Sequence, residues 1–78
     1  MTKEENRRQT AVALANLLRN ARKEKGWTIY RLAKEAGLSC GHVSRIENAL
    51  VIPTADILQR ITQALDVCVS FPLEFVIK

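Results

Sequence analysis

The stretch from Thr28 to Asn48 constrains this chain most, because two short helical patterns are joined there by only Gly37-Leu38-Ser39. So short a link makes the two helices cross steeply and pack closely. Close crossing needs a small residue in the first helix, supplied by Ala33, and a link residue that tolerates positive φ, supplied by Gly37. Leu32, Ala36, Leu38, Val43 and Ile46 then form an apolar wedge between the helices. Thr28 and Ser39 stand where hydroxyl caps are expected, ahead of helices from Ile29 to Ala36 and from Cys40 to Asn48.

Helical patterns also flank this pair. Thr2-Lys3-Glu4-Glu5 has the spacing of a capping box. Ala11, Leu14, Ala15, Leu18 and Ala21 then recur at helical spacing, widened by Val12 and Leu17, up to Arg22-Lys23-Glu24-Lys25-Gly26. Bases in that last turn suit the negative end of the helix dipole, and Gly26 can end the helix in the left-handed conformation. Pro53-Thr54 opens a fourth helix, Ala55 to Leu65, with Ile57, Leu58, Ile61, Ala64 and Leu65 apolar.

The tail changes period. Val67, Val69, Phe71, Leu73, Phe75 and Ile77 are all apolar at alternate positions, which is a strand signal. No second strand candidate stands out, and a lone strand leaves its backbone groups unpaired. The expectation is a ribbon formed by the tails of two copies, with these six side chains at the dimer interface. Pro72 is compatible, since every strand of a two-stranded ribbon is an edge. The alternatives are a short final helix beginning near Pro72, or irregular chain packed on its own subunit.

Size supports the need for a partner. A chain of 78 residues has room for one small core, and such a domain buries only roughly 60–65% of the surface its unfolded chain exposes. Cys40 and Cys68 are too few for a disulfide scaffold or a structural zinc site. Oligomerisation is the remaining staple. The longest apolar run falls far short of the ~18 residues that a membrane helix needs, and residues 1–8 do not read as a secretory signal. A reducing, cytoplasmic setting is therefore expected. The single His lacks a nucleophile and carboxylate set, so no enzyme activity and no cofactor are expected.

The formal net charge of +4 points to an anionic partner. Residues 1–31 hold eight bases against three acids, while residues 32–78 hold four against five, so the positive surplus lies ahead of the closely spaced helix pair. Charge alone is equally compatible with an ordinary solvated helical face.

The segment WTIYRLAKEAGLSCGHVSRIEN, with LLRNARKEKG before it and PTADILQRITQALDV after it, resembles the phage repressor and Cro-like (XRE-type) helix-turn-helix family of transcriptional regulators over about residues 14–67. The resemblance implies an all-α, four- to five-helix repressor-like domain over residues 1–66, with the helix-turn-helix at about 28–48. Residues 67–78 would then be a dimerising β-strand paired across a dimer. It also implies that the helix beginning at Cys40 enters the DNA major groove. Cys40, Gly41, Ser44 and Arg45 match the family's base-reading positions, and Arg45 has the fork that can grip guanine O6 and N7. Gly41 is costly in a helix, which close approach of a backbone would explain and drift at an exposed site would explain equally.

Thr28, Arg31, Lys34, His42 and Asn48 are the expected phosphate contacts. Arg22 and Glu47 fall where the resemblance implies a largely buried ion pair. A metal at Cys40 and His42 is not expected, because two ligand types without further neighbours make a poor site; a redox-sensing Cys40 is the remaining alternative there. The chain departs from the pattern in three places. Ile29 replaces a polar residue, usually Gln; Ala49 replaces the usual Gly; and Leu50-Val51-Ile52 is apolar where a basic loop is typical. Fewer phosphate contacts follow, with a shallower salt dependence.

The expected function is therefore that of a homodimeric, sequence-specific regulator of transcription, a repressor binding a palindromic operator in double-stranded DNA. An antitoxin-type regulator with a toxin as protein partner is a subtype of that reading. The alternative is a helix-turn-helix protein-interaction module with little DNA affinity, using Leu50-Val51-Ile52 and the tail.

Overall fold

The computed structural model describes residues 2–70 and 74–77, with residues 68–70 and 74–77 described by backbone alone. Four helices come first: α1 (Lys3–Glu24), α2 (Ile29–Ala36), α3 (Cys40–Glu47) and α4 (Ala55–Leu65). Two short strands follow, β1 (Val67–Ser70) and β2 (Glu74–Ile77).

Each helix begins where a side-chain oxygen can take up an N–H that the first turn leaves without a partner. Thr2 Oγ1 accepts from Glu5 N at 3.1 Å and Thr28 Oγ1 from Arg31 N at 3.1 Å. Ser39 Oγ accepts from His42 N at 3.1 Å and Thr54 Oγ1 from Ile57 N at 3.3 Å. Thr28 and Ser39 stand four and three residues after the end of the preceding helix, so there capping and turning are done by the same few residues, while Thr54 follows a longer link, seven residues after Glu47.

The first three helices end alike. At Gly26, Gly37 and Ala49 the backbone turns into the left-handed region, with φ of 72°, 70° and 60°. In each case the next residue's N–H reaches back to a carbonyl one turn earlier: Trp27 to Arg22 at 3.1 Å, Leu38 to Ala33 at 2.8 Å, and Leu50 to Arg45 at 3.0 Å. The turning residue itself donates to the next carbonyl along, as Ala49 does to Ile46 at 3.1 Å. This is the Schellman arrangement, and it favours glycine because a Cβ crowds the following carbonyl there. Ala49 makes the turn with a Cβ in place. Asp66, at φ 59°, ends α4 in the same region.

The core gathers where α1, α2, α3 and α4 meet. Leu18, Leu32, Val43, Ile46, Ile61 and Leu65 are its largest fully buried side chains, with Ala21, Ala33 and Ala36 between them. Ala33 is the small residue that lets α2 and α3 approach, and Leu38 packs against the cluster from the turn. Trp27, Ile57, Leu58 and Val67 close its edges. Thr62 is buried although the helical pattern does not mark it, because its hydroxyl donates to Gln59 O at 3.1 Å and so needs no water.

The tail corrects one expectation. The chain supplies its own second strand: β1 and β2 pair antiparallel, Val67 against Ile77 and Val69 against Phe75. The physical reason is that the link, residues 71–73, is short, so closing it costs little chain entropy. The register also sets odd positions opposite odd ones, which keeps the apolar alternation on one face after the fold-back. Phe71 and Leu73 lie outside the described residues, as do the side chains of Val69, Phe75 and Ile77.

Replacing Ala49 by glycine removes the Cβ from a left-handed turn that two other helices of this chain make with glycine. Ala49→Gly is expected to raise stability by about 0.5–1 kcal/mol after allowing for the greater freedom of glycine in the unfolded chain. A urea titration with an unchanged slope and a higher midpoint would show it.

Candidate nucleic-acid interface

Helix α3 divides its residues between two environments. Val43, Ile46 and Glu47 are buried against the other helices, while Cys40, Gly41 and Arg45 are exposed, as is the capping Asn48 just beyond, and Ser44 is half-buried. The expected base-reading residues Cys40, Gly41, Ser44 and Arg45 therefore share the outward side of one short helix. A Cβ built on Gly41 meets only the Arg45 Nη1 atom, at 3.8 Å, which is ordinary contact. Nothing among the described residues requires glycine at that position, and around it they leave the space open to an approaching molecule.

What holds α3 in place is charge buried behind it. Glu47 is only 3% exposed. Arg22 of α1 grips its carboxylate with two hydrogen bonds, Nε to Oε2 at 2.8 Å and Nη2 to Oε1 at 2.9 Å. The third donor, Arg22 Nη1, reaches the Trp27 carbonyl at 2.7 Å and so ties the turn before α2 to the same guanidinium. Arg19, one turn earlier on α1, donates through Nη2 to the main-chain carbonyl of Glu47. Two cations thus sit at the C-terminal end of α3, where unpaired carbonyls and the helix dipole favour positive charge. No buried side-chain nitrogen or oxygen among the described residues lacks a partner.

The expected phosphate contacts lie on α2 and α3 with different degrees of freedom. Lys34 is exposed and belongs to none of the ion pairs among the described residues. Arg31 is exposed but engaged: its Nε lies 3.1 Å from Glu35 Oε1, and its guanidinium carbon stands 4.7 Å from the centre of the Trp27 ring. Lys25 Nζ lies 4.9 Å from the same ring centre. Asn48 donates to Ser44 O at 2.9 Å and to Ser44 Oγ at 3.3 Å, so one expected phosphate contact and one expected base reader are joined in the free chain. Thr28 and His42 lie at the first turns of α2 and α3, the Thr28 oxygen occupied by its cap.

Sequence reasoning did not identify the roles of Arg19, Lys25 and Trp27. Arg19 and Arg22 are three positions apart on α1, a spacing that places both on one helical face. That signal could have paired them toward Glu47. No comparable signal exists for the Trp27 ring, whose two cations come from opposite sides of a turn. Among the described residues no group of three His, Cys, Asp or Glu could hold a metal ion, and no helix is long and apolar enough to cross a membrane.

Comparison with known proteins adds two likenesses. The helix-turn-helix family model matches residues 18–68. The crystal structure of the clp gene regulator ClgR from C. glutamicum is similar with a TM-score of 0.69 and 30% sequence identity, covering 72% of this chain and 73% of that one. No curated protein sequence matches significantly.

Removing one member of the buried pair strands the other without compensation. Glu47→Ala is expected to cost roughly 3–5 kcal/mol, most of the stability of so small a domain. Asp56→Ala, which breaks the exposed Asp56–Arg60 pair of α4, is expected to cost at most about 0.5 kcal/mol. Parallel urea unfolding curves of the two variants check the contrast.

Proposed function

We propose, from the premise that the chain belongs to the helix-turn-helix family, that it is a DNA-binding regulator of transcription in the cytoplasm, and that α3 is its recognition helix. The observation that carries this reading is the outward set Cys40, Gly41, Ser44 and Arg45 on a short helix clamped from behind by Arg22 and Arg19. A recognition element must hold its side chains to a small fraction of the base-pair spacing, and a buried bidentate ion pair is a stiff way to do so. Arg45 is the principal base reader, with the N-terminal end of α2, Arg31, Lys34, His42 and Asn48 fixing register on the phosphates.

Two of the eight bases in residues 1–31, Arg19 and Arg22, are engaged with Glu47, and Arg31 is shared with Glu35. The number of phosphates neutralised is therefore smaller than the formal charge implies. Since each neutralised phosphate adds about 0.9 to the steepness of log affinity against log salt, binding should be salt-dependent but moderately so.

The reading extends to a homodimeric repressor that occludes a palindromic operator, with recognition helices entering successive major grooves about 34 Å apart. Residues 1–66 bind DNA and residues 67–78 dimerise. The hairpin supports this in one respect. If two copies exchanged the strand Glu74–Ile77, the partner's Ile77 would stand opposite Val67 in the register that each chain makes alone. Strand exchange of this kind loses no ladder hydrogen bond and is a low-cost route to a dimer. An antitoxin-type role, with a toxin as second partner, is the subtype that a small operator-binding dimer would fit.

Arg45→Ala is expected to lower the preference for the selected operator over random duplex by roughly 1–3 kcal/mol at the positions it reads, while leaving binding to mixed-sequence DNA within a few-fold. Fluorescence anisotropy on both duplexes at several salt concentrations checks it; an unchanged preference removes Arg45 as a base reader. Deleting residues 71–78 is expected to give a monomer in light scattering, and a persistent dimer would exclude the tail as the dimerising element.

A further inference from the structure

The first part of α1 stands clear of the helical core. None of the residues 3–10 is buried, whereas Ala11, Leu14, Ala15 and Leu18 are. Eight residues extend a helix by about 12 Å, so α1 begins as an overhang. The side of that overhang turned toward the molecule carries Glu4, Arg7 and Arg8, followed by the buried Ala11, and opposite it lie Leu50, Val51 and Ile52 of the loop between α3 and α4. Between helix and loop runs a groove of about 770 Å³, within the range of sites that take a ligand or a peptide side-chain cluster.

Its two walls differ in chemistry. The loop wall is apolar and open to water: Leu50 is 70% exposed, Ile52 39% and Val51 36%. Three consecutive large aliphatic side chains at the surface are costly to leave there unless something covers them. The floor is also preformed, because Leu50 N–H is bonded to Arg45 O at 3.0 Å and Ala49 N–H to Ile46 O at 3.1 Å, so the loop begins as a fixed continuation of α3. The helix wall is cationic. Arg7 and Arg8 belong to none of the ion pairs among the described residues, all of which lie elsewhere. Glu4 is the one acid on the rim, which leaves the groove with a net positive edge.

We propose that this groove is a docking site for an acidic, apolar peptide segment of a partner protein, with aliphatic or aromatic side chains laid on Leu50, Val51 and Ile52 and carboxylates held by Arg7 and Arg8. The pairing of walls selects that chemistry. DNA backbone would satisfy the arginines but would bring hydrated phosphates against three aliphatic side chains that offer them no donor. A purely apolar segment would leave two guanidiniums beside it without a counter-charge. A segment with both features satisfies both walls, and arginine forks hold carboxylates in a directed way that adds selectivity over other acidic surfaces. The site is distinct from the outward side of α3 and does not depend on DNA binding.

The test is selection from a phage-displayed library of random peptides about 12 residues long on the immobilised full chain, followed by anisotropy of the enriched peptides as labelled synthetic probes. Enriched sequences are expected to combine two or more large apolar residues with flanking Asp or Glu. Their affinity should fall about tenfold or more on Leu50→Ser and on the double variant R7Q/R8Q, and the double variant should also lose the salt dependence of binding. All three substitutions are at exposed positions, and thermal melts verify that the variants fold. Enrichment of basic or uncharged peptides, no enrichment, or probes indifferent to both variants would overturn the proposal. So would loss of self-association in sedimentation on Leu50→Ser, which would assign the groove to a second copy.

Discussion

Almost everything about how this molecule presents α3 depends on one buried carboxylate. Glu47 closes the helix from inside, and Arg22 answers it with a bidentate grip while also holding the Trp27 carbonyl. The turn that follows α1 and the far end of α3 are thereby referred to a single guanidinium. Arg19 adds a contact to the main chain of the same residue, so the C-terminal end of α3 is held through both its side chain and its backbone. A buried ion pair is weak evidence of net stabilisation, since desolvating the two charges offsets much of their attraction. Its contribution here is geometric: an aliphatic pair would fill the volume but would let the helix rotate or slide, whereas two directed hydrogen bonds fix its angle.

The same economy appears at the helix ends. Hydroxyl caps start all four helices, and left-handed turns end them, so connections of three to seven residues between helices suffice. The turn at Ala49 stands apart because it retains a Cβ where Gly26 and Gly37 have none. Directly after it the chain places Leu50, Val51 and Ile52 in water. Local strain and exposed apolar surface thus coincide in one loop, immediately beyond the helix that carries Arg45. Both features are costs to folding, and their coincidence on a face opposite Arg7 and Arg8, which pair with no acid among the described residues, is what distinguishes this loop from ordinary surface.

Much of the helical architecture was legible in the residues themselves. Helix boundaries followed from Thr28, Gly37, Ser39 and Pro53-Thr54, because capping and turning are decided within a few residues. The wedge of Leu32, Ala36, Val43 and Ile46 followed from helical spacing, and the outward positions Cys40, Gly41 and Arg45 are its complement on the same helix. Arg22 and Glu47 were legible only through a family resemblance, since nothing in local pattern links residues 25 positions apart. The strand signal after Val67 was real, but its continuity misled. A period-two pattern does not say where a strand folds back, and a register that sets odd opposite odd gives both strands the same alternation as one continuous strand.

What the sequence determined by itself is therefore the set of elements and the side each one buries. Those depend on contacts between near neighbours and on the simple count of apolar positions per turn. Tertiary structure alone decided which charges are engaged inside. Arg19 and Arg22 look in sequence like Arg7 and Arg8, yet the first two are tied to Glu47, more than twenty positions away. The physical reason is that an ion pair forms where folding brings two groups within a few ångströms in a site poor in water. That distance is set by how whole helices pack, which no local run of residues records.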